Sequence, residues 1–435
     1  MDWIVHHYWP ELDRKHVRRA DIEPILEHFR SRPEINIQLL GHSVQQRPIE
    51  LVSIGRGKQV VLAWTQMHGD EPTATAAVFD IIEQLLSDNR SLVTQVLNHF
   101  TLHFIPMLNP DGAERKTREN AQGIDINRDA RKRCSPEAQI LHNAVSKLRP
   151  DIAFNLHDQN RYYGVGNTDE LSTIAFLAPP FDQEQSVNHA RGRAMSLIAV
   201  MRQVLEARIN GHVARYMDEY SPRCFGDTIA AMGASTLLIE SGEFPNDPNR
   251  QTARAMNRLA IFTALDAVSQ NTWQDVGEAD YFAIPANNEN HWGDIVLRNV
   301  TFAGNANSVE FQTDMLIRKV EGEYQVAEIG DLADQRGITE LGCDQLTLSR
   351  GEPYRVSEPL TLDDLAYRAI LKNGYSHFID TNDNLAVRTE LPVFSTTQPL
   401  PTTFHKLPAI GILSTAGSPR YAVLGRKVVE LEGEP

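Results

Sequence analysis

Cysteine is scarce in this chain of 435 residues: there are three, Cys134, Cys224 and Cys343. Three thiols without CxxC spacing cannot close a disulfide framework, so reduced thiols are expected and the chemistry must lie elsewhere. Long apolar runs are missing too. Every hydrophobic stretch breaks before the ~18 residues a membrane span needs, and no membrane partner is expected. The stretch after Met1, "DWIVHHYWPELDRKH", has no basic opening, no unbroken apolar segment and no small-residue cleavage site, which points to a cytoplasmic location. Positive charge is the third shortage. With 42 Lys and Arg against 57 Asp and Glu, the formal net charge is -15. A surface that binds nucleic acid neutralises phosphates with clustered cations, so nucleic acid is excluded as an expected partner.

What is there is an ordinary globular composition, 41% hydrophobic and 23% charged, without repeats or low-complexity segments. The first two thirds alternates short apolar runs with amphipathic stretches, the pattern of a sheet covered by helices. "KQVVLAWTQ" reads as a strand, and Thr73 to Leu86 as a helix entered through Pro72. "FTLHFIPMLNPDG" reads as a strand stopped by a turn at Asn109, Pro110, Asp111 and Gly112. "PEAQILHNAVSKL" reads as a helix, "DIAFNLH" as a strand and 186–207 as a long helix. A short helix closed by Gly233, a strand over Thr236–Ile239 and a helix near 249–269 complete this part. After Trp273 the texture changes to short β-rich runs separated by Gly, Asn and Pro, the signature of an all-β module. Two domains are expected, 1–272 and 285–435, with the polar stretch "AIPANNENHWGD" between them.

Four polar elements follow the ends of the four expected strands: His68 with Glu71, the "NPDG" turn, His157 and Glu240. Ligands of open α/β sheets bind at that edge, where loops leaving parallel strands fan apart. A catalytic zinc takes three N or O ligands and keeps one position for water. His68, Glu71 and His157 supply such a set, and Glu240 is the carboxylate left over to take and return a proton. An HxxE pair alone is a weak signal, and a histidine at a strand end is usually a cap or a surface residue. The coincidence of four strand ends outweighs that reading. Gly69 is expected to permit the sharp turn between the two ligands. The stretch "ERKTRENAQGIDINRDARKR" is by composition a solvated basic loop, but beside a zinc site its Arg118, Asn127 and Arg128 gain meaning, because a guanidinium binds carboxylates bidentately and polarises carbonyls.

With these motifs in order, the chain resembles the zinc carboxypeptidase family, the carboxypeptidase A-like metallopeptidases. "HGDEP" is similar to the family's HxxE, "NPDG" and "DINRD" to its Asn-Pro-Asp-Gly and Asn-Arg elements, "NLHD" carries the second histidine, and "LLIESG" resembles the strand of the catalytic glutamate. The resemblance spans roughly 38–270, and "GHSVQQRPIELVSIG" looks like the strand pair that precedes the HxxE. It implies a mixed, mostly parallel sheet flanked by helices, with the β-rich domain appended. It also implies one Zn2+ ion on His68, Glu71 and His157, Glu240 as general acid/base, and Asn127 with Arg128 on the substrate's terminal carboxylate. Arg118 becomes the carbonyl-polarising arginine. The capping tyrosine of the family falls best on Tyr220, with Tyr216 and Tyr163 as rivals. "DQNRYYGVG" and "SPRCFGD" depart from the family pattern, and Arg223 or Arg161 is expected to greet a second acidic group of the substrate.

The expected activity is that of a zinc metallocarboxypeptidase hydrolysing an amide next to a free carboxylate by metal-activated water. The alternative is an acylamino-acid hydrolase resembling succinylglutamate desuccinylase or aspartoacylase; the partner in either case is a peptide or acylated amino acid with a free carboxylate. A binding module with a vestigial zinc site is the reading from a different class. The β-rich tail is expected to be a structural or homo-oligomerisation module without catalytic residues.

Overall fold

The computed structural model describes residues 8–88, 90–217, 219–289, 292–303, 309–401 and 403–431. Residues 1–7, the beginning of the N-terminal stretch read above, lie outside them. The chain divides into two compact units, 1–289 and 290–435.

The first unit is built on an eight-stranded sheet. Its strands are β1 (Asn36–His42), β2 (Pro48–Gly55), β3 (Gln59–Trp64), β4 (Phe100–Ile105), β5 (Ile152–Asp158), β7 (Ile174–Leu177), β8 (Val213–Arg215) and β9 (Ser235–Ser241), in the order β1-β2-β4-β3-β5-β9-β7-β8. A short β6 (Gly164–Val165) pairs instead with β10 (Asn287–Asn288). The four central strands β4, β3, β5 and β9 run parallel; β1 with β2, β2 with β4 and β7 with β9 pair antiparallel, and β8 runs parallel to β7. The sheet is therefore mixed, with its parallel part in the middle, as the resemblance implied.

Nine helices accompany these strands among the described residues: α1 (Arg19–Arg30), α2 (Thr73–Ser87), α3 (Ser91–His99), α4 (Pro110–Arg115), α5 (Pro136–Leu148), α6 (His189–Glu206), α7 (Phe225–Ala231), α8 (Gln251–Gln270) and α9 (Glu278–Phe282). Strand periodicity sorts the side chains into two cores. Ile152, Phe154 and Leu156 of β5 join residues of α1, α2, α6 and α8 on one face. Ala153 faces the other way, into a smaller core with Leu62, Trp64 and residues of α5 and α7. Asn155 and His157 share that second face by the same alternation, so the last inward residue of β5 emerges at the strand end as an imidazole.

The start of α5 and the course of β3, β5 and α2 follow the sequence pattern closely. The "NPDG" segment does not. It opens α4: Asn109 is the N-cap, its side chain accepting from the Gly112 N–H at 2.9 Å, with Pro110 in the first turn where no N–H is needed. Gly69 lies in the expected turn, which the Glu71 N–H closes by donating to the His68 carbonyl at 3.2 Å, and it serves a second purpose. A Cβ there would stand 1.9 Å from the backbone carbon of Gly112, so the residue is small because the ligand-bearing loop lies directly against α4. α2 begins at Thr73, one residue after Pro72, which is its N-cap.

The second unit contains an eight-stranded sheet around the long strand Trp292–Phe302, which pairs antiparallel with Phe311–Val320 and parallel with Arg336–Gly342. It is β-rich but not all-β. A helix, Asp364–Lys372, is capped by Asp363 and buries Tyr367 and Leu371 against Phe378 and Leu424. Nine residues with two buried apolar positions leave too short a period to stand out among strands.

Candidate metal centre

The loop after β3 carries His68 and Glu71, and the end of β5 carries His157. Parallel pairing of β3 with β5 brings both to one edge of the sheet. All three residues are buried. Their ligand atoms lie within 4.8 Å of one another. His68 Nδ1 stands 2.7 Å from Glu71 Oε1 and 3.2 Å from His157 Nδ1, while His157 Nδ1 is 2.8 Å from Glu71 Oε2. Ligands about 2.0–2.1 Å from a tetrahedral zinc sit roughly 3.3 Å apart, so this N, N, O triangle needs only a slight opening to hold the ion. Two imidazole nitrogens and a carboxylate that converge on one point match the chemistry of that ligand set.

One cation already touches the cluster. Arg118 Nη1 lies 3.2 Å from His68 Nδ1 and 3.4 Å from Glu71 Oε1, and its Nε donates to Asp125 Oδ2 at 3.0 Å. Asp125 also meets His68 Nε2 at 3.2 Å, fixing the ring so that Nδ1 faces the cluster. The sequence reading gave Asp125 no role, although it stands inside the quoted "DINRD". The Ile126–Arg128 turn that follows is capped by the Asp125 side chain, which accepts from the Asn127 N–H at 2.8 Å.

Electrostatics follow from burial and these contacts. Burial opposes charge on His68, but the Glu71 and Asp125 carboxylates outweigh it and raise the imidazole to about 9. Burial would raise Glu71 and Asp125, yet their cationic neighbours hold both well below the usual carboxylate range. His157, wholly buried, is lowered by desolvation. A divalent ion held by these ligands would take the place of a proton on His68, since a ligating imidazole is neutral.

Glu240 pairs with His157 across the β5–β9 ladder. Its Oε2 is buried and has no hydrogen-bond partner among the described residues, as has His157 Nε2. Burial, then the charge of Glu71, push Glu240 up to about 8. The hydroxyls of Tyr163 and Tyr216 lie 3.3 Å apart; burial raises both most, and the charge of Glu240 adds to each. Tyr220 is half-buried on the segment before α7, and no contact links it to the cluster.

Asn127 is buried, its Oδ1 accepting from the Phe225 N–H at 2.9 Å. Arg128 is exposed, and its Nη1 donates to the Asn127 carbonyl at 2.9 Å and contacts Cys224 Sγ at 3.2 Å. Arg223 is exposed and only its carbonyl is engaged, by the Ala130 N–H. Arg161 Nε lies 4.0 Å from Glu243 Oε1. The three cysteines are unpaired.

A sequence model of the zinc carboxypeptidase family matches residues 22–155. Carboxypeptidase SOL1 of Arabidopsis thaliana is 27% identical over 202 residues, 39% of this chain and 41% of that protein. Carboxypeptidase E of Caenorhabditis elegans is 30% identical over 120 residues, 22% of this chain and 25% of that one. The chain thus matches less than half the length of either curated relative. A metallo-carboxypeptidase structure from Burkholderia cenocepacia aligns at a TM-score of 0.48 and 17% identity, over 59% of this chain and 70% of that one.

Proposed function

The chain belongs to the zinc carboxypeptidase family, and on that premise we propose that it hydrolyses the amide bond next to a free carboxylate, in a peptide or an acylated amino acid. The observation that carries this reading is the triangle of His68 Nδ1, the Glu71 carboxylate and His157 Nδ1. One zinc ion held there supplies Lewis acidity, which makes water acidic enough to attack near neutral pH and polarises the substrate carbonyl.

The chain's own residues do the rest. Glu240, buried at the end of β9, takes the proton of the attacking water and returns it to the leaving nitrogen. Its partnerless Oε2 leaves a lone pair for that proton. Asn127 and Arg128 bind the terminal carboxylate, Arg128 through the charged fork that suits two oxygens. Arg118, held charged by Asp125 and Glu71, would polarise the carbonyl oxygen. Tyr220 is the capping candidate, with Tyr163 and Tyr216, whose hydroxyls lie 3.3 Å apart, as its rivals. Arg223 meets a further acidic group at the rim. The β-rich unit is an accessory domain, and unpaired thiols suit a reducing, cytoplasmic setting. Among the described residues no helix is long and apolar enough to cross a membrane.

Metal removal tests the reading. Chelation is expected to abolish hydrolysis of peptides or acyl-amino acids ending in a free carboxylate, and one equivalent of zinc to restore it. Turnover that persists in metal-free protein overturns it. Blocking the carboxylate as an amide is expected to remove most of kcat/KM, and comparing peptides with acyl-amino acids identifies the substrate branch.

A further inference from the structure

The parallel strands have a second edge. Where β5 and β9 begin, opposite the metal cluster, lies a cavity of about 640 Å3. It is bounded by the end of α5, the start of α6 and the turn after α7. This volume falls within the roughly 300–1,000 Å3 typical of small-molecule sites.

Its lining is cationic in a chain of net charge -15. Arg149, Arg193 and His189 face it, with Asp151 as the acidic residue. Arg193 donates from Nε to Ser235 Oγ at 2.8 Å and from Nη2 to the Asp151 carbonyl. These contacts fix the guanidinium but do not neutralise it. The Asp151 carboxylate accepts from the Val60 N–H at 2.8 Å, capping β3, and forms no ion pair with Arg193 among the described residues. Arg149 is exposed, and its side chain makes no hydrogen bond or ion pair with a described residue. Burial lowers the pKa of Arg193, and the nearby Asp151 charge offsets this only in part.

We propose that this cavity is a binding site for a small oxyanion of more than one charge, a phosphate ester or a dicarboxylate, gripped between Arg149 and Arg193. Guanidinium forks match the oxygen spacing of either group. The first turn of α6 adds N–H groups that favour an anion. Ala190, Met232 and Val145 give an apolar flank for the organic part of such a ligand.

Arg149 offers an unusually clean test because it occupies a left-handed position, φ 48°, at the end of α5. Glycine is preferred there, so Arg149→Gly removes the guanidinium without threatening the fold. Inorganic phosphate and succinate are titrated separately, by calorimetry at fixed ionic strength, into zinc-loaded protein carrying Arg128→Ala, which silences the carboxylate site of the metal edge. Saturable binding of one or both is expected, weakened about tenfold or more by Arg149→Gly, the loss of one charge-assisted contact. Phosphate binding alone identifies a phosphate ester, succinate alone a dicarboxylate. No saturable binding of either ion, or equal affinity in Arg149→Gly, overturns the proposal. Both results are independent of whether the metal edge hydrolyses anything.

Discussion

The first unit buries two clusters of charge, and they are built on opposite principles. At the sheet edge, His68, Glu71 and His157 present lone pairs to one another, with Glu240 Oε2 and His157 Nε2 left without partners. Between α2 and α8, Asp80 receives Arg254 through two parallel bonds of 2.8 Å, and Arg258 Nη1 lies 3.5 Å away. These three side chains are almost wholly inaccessible. Arg254 also reaches the Trp9 carbonyl, and the Tyr8 N–H donates to Asp80. Donors there meet acceptors, and the cluster pins 8–9 to the helices. At the sheet edge the N and O atoms converge on one point, as a metal ion requires; at Asp80 donors meet acceptors, and the charges serve the fold.

Three substitutions separate the two principles. Glu240→Gln keeps the shape of the edge cluster but cannot accept a proton, and it is expected to retain one zinc per chain while turnover falls by about 10^2–10^4-fold. Metal content measured beside kcat decides this, and near-normal turnover removes Glu240 from the mechanism. Asp80→Ala strands two buried guanidinium groups and is expected to cost about 3–5 kcal/mol of stability in urea unfolding of the zinc-loaded protein. Zinc affinity of the folded fraction should not follow. Asp125→Asn removes the carboxylate that orients His68, and it is expected to weaken zinc by about 10–100-fold in chelator competition. An effect on melting temperature without one on affinity assigns Asp125 to the fold alone.

The two clusters also differ in how much of them could be read in the sequence. Each member of the edge cluster follows an apolar strand, and parallel pairing carries strand ends to a common edge, so His68, Glu71, His157 and Glu240 were legible as a set. The same holds for α5, whose Ser135 and Pro136 start it as the pattern requires. Asp80 and Arg254 are 174 residues apart. No local pattern records such a pair, and buried positions inside α2 and α8 look like ordinary breaks in an apolar stripe. The strands β7 and β8 have four and three residues, too short for a period to register. Asp125 was hidden for another reason: its partners His68 and Arg118 approach from separate segments, and only their geometry distinguishes it from a turn-forming aspartate. "NPDG" misled because the same residues that make turns also begin helices, and what decides is whether amphipathic chain can continue.

Ser135 supplies the baseline against which both clusters should be judged. Its Oγ accepts from the Ala138 N–H at 3.2 Å and donates to Asp129 Oδ2 at 2.9 Å, a buried polar contact with no hydrogen bond to the metal ligands or to Asp80 among the described residues. Ser135→Ala takes away one helix cap and is expected to cost about 1 kcal/mol in urea unfolding, with zinc affinity unchanged. That value is what one helix-capping hydroxyl contributes here. If Asp80→Ala costs no more than this, the Asp80–Arg254 charges are not what fastens α2 to α8, and the contrast drawn between the clusters fails on its structural side. If Ser135→Ala also weakens zinc, the edge cluster depends on general rigidity of the unit rather than on the orientation that Asp125 gives to His68.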